Sequence, residues 1–235
     1  MLFAVGVMIR LGIWQLDRLA ARRAGNAHIR AMQAAPALDL NTLDPSLELE
    51  TMEYRRAAAQ GVYDFDRQVA LRNQYWGIPD GPAEYGYHLL TPLLLLDGRA
   101  VLVDRGWIPG DYTDPATWHV FDLPGEVTVT GILRLSQAEA EMGGLSTGEA
   151  LPGQRLDFWV LPDLPSISLQ LPYTLLPVYL QQASVAGEAA LPYKALPELV
   201  LTDGSHLGFA LQWFFYASLV FFGYPVFLRK RQGGQ

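Results

Sequence analysis

The chain has 235 residues, a formal net charge of -7 at pH 7 and no cysteine. Half of it is apolar and 17% is charged, against about 25% charge in soluble domains, so part of its surface is expected in lipid. The acidic balance argues against a nucleic-acid partner. The missing thiols exclude disulfides, thiolate zinc sites and cysteine nucleophiles.

The first segment, MLFAVGVMIRLGIWQL, is apolar but carries Arg10. It falls short of the roughly 20 residues that usually span a bilayer. A cleaved signal peptide is one reading, but no Ala-x-Ala site follows, and Trp14-Gln15 are poor cleavage neighbours. A first transmembrane helix over residues 1–24 is the expectation, either short and tilted or lacking upstream residues. Arg18, Arg22 and Arg23 come just after its apolar run, and the Ala-rich run from Arg22 to Gln33 extends the helix to a stop before Pro36.

Residues 25–205 read as one domain of short elements joined by turns. Tyr54–Tyr63 and Gln68–Asn73 have strand character. Tyr87–Leu96 and Arg99–Trp107 flank Asp97-Gly98, a dipeptide that predicts a hairpin with a type I′ turn. Glu126–Leu135 alternates as a further strand, Asp163–Leu171 predicts a short helix with Pro165 near its start, and Leu175–Gln182 reads as a late strand. The Pro-rich, apolar stretch from Leu151 to Leu176 offers surface to a protein partner. The domain is expected to be mainly antiparallel β.

The last segment, from Leu207 to Leu228, has no charged residue and at 1.5 Å per residue covers about 33 Å, enough to span. Trp213, Tyr216 and Tyr224 resemble an aromatic belt, and Pro225 falls in the last turns. Arg229, Lys230 and Arg231 form a basic stop in a tail over residues 229–235, which favours the cytoplasmic side. If both segments span, the basic clusters after them lie on opposite sides, so one breaks the charge rule. The predicted class is an α+β membrane protein, with two transmembrane helices (1–24 and 206–228) flanking one β domain.

Among motifs, Gly144-Leu145-Ser146-Thr147-Gly148 matches G-x-S-x-G but lacks the strand before and helix after that a nucleophile elbow needs. A Gly/Ser loop is the better reading. His206 stands just outside the apolar run. It reads either as an interfacial polar residue or as an axial ligand to haem iron, with Ala210 and Trp213 following on the same helical face. Gln15, Arg18 and Arg22 share a face of the first helix, where arginines either snorkel to headgroups or pair with anionic groups such as haem propionates. Arg10 lies deeper, where an interior partner is expected. His28, His88 and His119 have no comparable setting, and Arg105-Gly106-Trp107 reads as a strand-end bend.

Several stretches together resemble the surfeit-locus (Surf) family of cytochrome c oxidase assembly factors. They are Gly12-x-Trp14-Gln15-x-x-Arg18, Tyr54-Arg55 with Gly61-x-Tyr63, Gly86 to Pro92 (GYHLLTP), Val101 to Pro109 (VLVDRGWIP) and His206 to Phe214 (HLGFALQWF). The resemblance implies two membrane spans in the cell inner (plasma) membrane, both termini cytoplasmic and the β domain extracytoplasmic. It implies no enzymatic activity but a role in haem–copper oxidase maturation, helping haem a reach the largest oxidase subunit. Oxidase subunits and haem a synthase are the implied partners. His206 corresponds to the family's proposed haem contact, with Gln15, Arg18 and Trp213 as companions in the implied site. A structural scaffold or retained accessory subunit that does not ligate haem is the competing expectation.

Overall fold

The computed structural model describes residues 1–44, 46–77, 82–137, 155–184, 190–194, 196, 199 and 201–232. The chain divides into two compact units, Met1–Ala31 with Leu199–Gln235, and Met32–Glu198. The fold is α+β: a β-barrel domain, one N-terminal helix and one C-terminal apolar helix.

In the β unit the described strands are β1 (Leu38–Asp39), β2 (Arg56–Tyr63), β3 (Val69–Gly77), β4 (Ala83–Leu95), β5 (Ala100–Pro109), β6 (Glu126–Leu135), β7 (Phe158–Trp159) and β8 (Leu175–Gln182). They form one sheet in the order β1-β2-β6-β8-β5-β4-β3-β7, and a further β2–β4 pairing closes five of them into a barrel. Closure depends on the length of β4. Its first half carries β3, while Leu93, Leu94 and Leu95 pair with Tyr63, Val62 and Gly61 of β2. Only β1–β2, β3–β7 and β5–β8 are parallel, so the sheet is mainly antiparallel, as expected.

Side chains alternate across a strand, and β5 uses both of its faces. Val101 and Val103 join Leu93, Val129, Leu133, Val178 and Leu180 inside the barrel. Leu102 points the other way, into a layer with Leu71, Leu90, Trp159, Leu164 and Ile167. Burial on both faces explains why β5 is an almost unbroken apolar run instead of an alternating one. The short helix α2 (Leu164–Ser168) supplies that outer layer and begins at Asp163, whose carboxylate accepts from Ser166 N. The described part of the Pro-rich stretch therefore puts Trp159, Leu164 and Ile167 into a second core wall, while Leu169 stays exposed.

Three local readings also change. Tyr54 sits at φ 69°, a left-handed conformation that a strand cannot continue through, so β2 starts at Arg56. Asn73 at φ 62° marks an irregularity between Leu71 and Gln74, beyond which β3 runs on to Gly77. At the hairpin only Gly98 has positive φ (85°); Asp97 does not. Gly98 N donates to Leu95 O and Leu95 N to Arg99 O, which makes a three-residue loop with a left-handed glycine in place of the two-residue type I′ turn. Gly144 to Gly148 lie outside the described residues.

The helical unit pairs α1 (Leu2–Ala34) with α3 (His206–Gln232). Buried positions on α1 are Val5, Gly12, Leu19 and Asn26, and on α3 Ala210 and Ala217, seven apart in each case. Gln15, His206 and Trp213 are half-buried between them. A seven-residue repeat keeps one seam facing a partner helix. The two helices run antiparallel along that seam, Gln15 meeting His206 and Gly12 meeting Phe214. Small residues let the backbones approach: a Cβ on Gly12 would lie 2.5 Å from Phe214 Cε1. As expected, α1 stops before Pro36. Pro225 is interior, because α3 continues to Gln232. Among the described residues one helix is long and apolar enough to cross a membrane, over His206–Phe227.

Candidate functional site

His206 is the first residue of α3, and Leu201 to Ser205 lead into it. Four side chains of α1 hold that lead-in segment. Arg22 Nε and Asn26 Nδ2 both donate to Thr202 O, at 2.8 and 3.1 Å. Arg30 donates to Leu201 O at 3.1 Å, and Arg23 pairs with Asp203 at 2.8 Å. Arg22, which reads as a membrane snorkel in sequence, thus helps fix where α3 begins.

The imidazole so positioned faces Gln15. His206 Nδ1 lies 2.9 Å from Gln15 Oε1; the amide oxygen accepts, so Nδ1 carries the proton. That tautomer leaves Nε2 with its lone pair available, and a hydrogen bond at one ring nitrogen is the usual means of orienting the other toward a metal. The Nε2 side of the ring looks toward Gly204: a Cβ there would stand 3.8 Å from His206 Nε2 and 3.8 Å from Arg22 Nε. Gln15, Arg22 and His206 are thus neighbours.

The other implied members are placed differently. Arg18 is exposed, with its guanidinium over the Trp14 ring at 5.6 Å, and it lies off the seam that carries Gln15. Trp213 is two turns below His206, half-buried, its ring edge-on to Tyr216 at 6.4 Å. Ala210, on the helical face shared by His206 and Trp213, is completely buried and leaves no open surface for a planar ligand between them. The small residues that would have made room for a planar ligand instead admit α1.

Among the other histidines, His119 bonds Ala116 O and is exposed, and His28 is exposed. His88 contacts both carboxylate oxygens of Asp104, at 2.9 and 3.0 Å. Burial pulls its pKa down most strongly, but the charge and hydrogen bond of Asp104 together outweigh that and hold it above the ordinary imidazole value. No group of three or more His, Asp or Glu among the described residues is arranged to hold a metal ion.

Sequence reasoning missed Arg105. It is the extra residue at a break in the β4–β5 register, where Leu89 pairs with Gly106 and Leu90 with Asp104. It is 1% exposed, and its guanidinium lies over the adjacent Tyr63 and Phe65 rings, 5.1 Å from each. One guanidinium nitrogen donates to Phe121 O; the other, Nη1, has no hydrogen-bond partner. Burial lowers the Arg105 pKa, against the opposing charges of Tyr63 and Asp122. Burial likewise raises Tyr63 to about 12, with Arg105 opposing. The available signal was a charged pair, Asp104-Arg105, inside an otherwise apolar strand.

A model of the SURF1 family matches residues 2–218. A SURF1-like protein of Rickettsia bellii (strain RML369-C) is 25% identical over 228 residues, covering 95% of this chain and 87% of that protein. A SURF1-like protein of Caenorhabditis briggsae is 24% identical over 173 residues, 67% of this chain but 53% of the relative. Surfeit locus protein 1 of Takifugu rubripes is 28% identical over 138 residues, 54% of this chain and 57% of the relative. The alignments therefore cover most of the bacterial relative and about half of the two animal ones.

Proposed function

This chain belongs to the SURF1 family, and from that premise we propose that it is a non-enzymatic assembly factor of haem–copper (cytochrome c) oxidase. In this reading it helps haem a reach the largest oxidase subunit, working with oxidase subunits and with haem a synthase. The observation that carries the reading is the Gln15–His206 bond. His206 would hold the group through Nε2 and Gln15 would fix the ring. Haem a, when bound, would supply an iron that a neutral imidazole can ligate. Because the Ala210 face is covered, the porphyrin would approach from the Gly204 and Arg22 side, where the Arg22 nitrogens not engaged with Thr202 could meet a propionate.

In the same reading both α1 and α3 span the inner (plasma) membrane, with both termini cytoplasmic and the β unit outside. Arg22, Arg23 and Arg30 have local partners in Thr202, Asp203 and Leu201. That gives the basic cluster after α1 a structural reason to sit on the side away from the basic tail, against the charge rule.

The test is spectroscopic. Protein purified from cells that make haem a should carry a haem spectrum, and His206→Ala should remove it while α3 stays folded. An unchanged spectrum in that variant, or none from the unaltered protein under any expression condition, would overturn haem ligation. The burial of Ala210 favours a second reading, in which the chain is a scaffold or retained accessory subunit that does not ligate haem. That reading predicts stoichiometric copurification with the mature oxidase and unimpaired oxidase assembly in His206→Ala.

A further inference from the structure

Arg10 lies in the apolar half of α1, on the side of the helix that α3 leaves open. Val5 and Gly12 mark the buried seam, and at about 100° per residue Arg10 is rotated roughly 150° away from both. Its side chain is exposed and makes no hydrogen bond, ion pair or ring contact with any described residue. Phe3, Val7, Ile13 and Trp14, all exposed, surround it on the same face.

Its depth follows from the register of the two helices. Gln15 meets His206, which puts Arg10 five residues inward, and Gly12 meets Phe214, which puts it ten residues inward. At 1.5 Å per residue the two contacts bracket Arg10 at about 8–15 Å along a span of roughly 33 Å, inside the apolar core of a bilayer. A guanidinium there, turned away from its own partner helix, is expensive unless something pairs with it, and ionisable groups at such depth usually face a partner.

We propose that this face of α1 is the docking surface for a transmembrane helix of a different protein, one that carries an Asp or Glu within its apolar span and pairs it with Arg10. The inference rests on the two-span reading above. A second copy of this chain does not serve as the partner. Within residues 1–24 and 206–228 the one carboxylate is Asp17, seven residues or about 10 Å along α1 from Arg10, and two parallel copies of α1 in register would set Arg10 against Arg10. A carboxylate accepts both arms of the guanidinium fork, while apolar residues of the incoming helix would cover Phe3, Val7 and Ile13.

The chain has no cysteine, so single cysteines can report position without background. Cysteines at Val7 and Ile13, in cell membranes, should resist a membrane-impermeant maleimide from both sides. Labelling of either from water would overturn the two-span reading and this proposal with it. In the full chain, a photo-crosslinking amino acid at Val7 should then capture a membrane protein, with the linked peptide lying in an apolar segment that contains Asp or Glu. Arg10→Glu should cut the yield by roughly tenfold or more, as expected when one member of a desolvated charge pair is reversed. Replacing the partner's carboxylate with Lys should restore it. Protected cysteines with cross-links only to lipid or to another copy of this chain, or an unchanged yield in Arg10→Glu, would overturn the docking surface and leave the spans standing.

Discussion

Gln15 and His206 are 191 positions apart in sequence and 2.9 Å apart in space, and the direction of that bond sets the chemistry of the imidazole. Because the amide oxygen accepts, the proton is held on Nδ1. Gln15→Leu removes the acceptor without adding volume to the seam, and the ring should then sample both tautomers. Nitrogen-15 NMR of labelled histidine should show one His206 tautomer in the unaltered protein and a mixture in the variant. If His206 ligates iron, the affinity should fall by about 10- to 100-fold. A single unchanged tautomer in Gln15→Leu would show that the bond does not control the ring.

The contact between Gly12 and Phe214 makes a second prediction. Any side chain at Gly12 drives its Cβ into the Phe214 ring, so Gly12→Val should destabilise the helix pair by about 1–3 kcal/mol, as overpacking does. Phe214→Ala in the same chain should recover much of that loss, because the two sites are in contact and their effects do not add. Thermal unfolding of the full chain in detergent measures both. Equal damage in the single and double variants would place the effect elsewhere.

These two contacts also mark where sequence reading succeeded and where it stopped. The bounds of β6 and β8 match the expected Glu126–Leu135 and Leu175–Gln182, because short-range alternation and turn residues decide them. Gln15 was a candidate through its helical face and His206 through its place just outside the apolar run, but nothing local indicated that one would hold the other. The same limit hid the β2–β4 closure, which depends on a strand long enough to serve two neighbours. Arg105 escaped because its register break is a property of two strands together. Ala210 was read correctly as lying on the His206 face. Whether that face stays open depends on Gly12 and Leu19, nearly two hundred residues earlier.

His88 and Asp104 make stability depend on pH. Asp104 holds the folded His88 pKa above the ordinary imidazole value, so the protonated form is favoured by folding. Its contribution is complete below the unfolded value and is lost as pH rises through the folded one. The melting temperature should therefore fall as pH rises above the ordinary imidazole value of about 6.5, and His88→Gln should flatten that slope. A slope identical in the variant would assign the dependence to other groups.

Arg105 makes the last prediction, and it separates packing from charge. The guanidinium packs over the Tyr63 and Phe65 rings and tethers Phe121 O, so Arg105→Ala leaves a cavity and strands a buried carbonyl. A loss of roughly 3 kcal/mol or more is expected, among the larger single-site effects. Arg105→Met keeps most of the volume and also removes a cation with one unpartnered nitrogen in a dry interior. Replacing buried charge with apolar atoms of similar size is often neutral or stabilising, so this variant should unfold within about 1 kcal/mol of the unaltered protein. The pair of variants also reads out on Tyr63, whose phenol is held at about 12 by burial while Arg105 pulls it the other way. With the cation gone in Arg105→Met, that phenol should titrate higher still, visible as delayed tyrosinate absorbance in alkaline titration. A large loss of stability in Arg105→Met would mean that the charge itself, through Phe121 O and Asp122, holds the end of β5 in place.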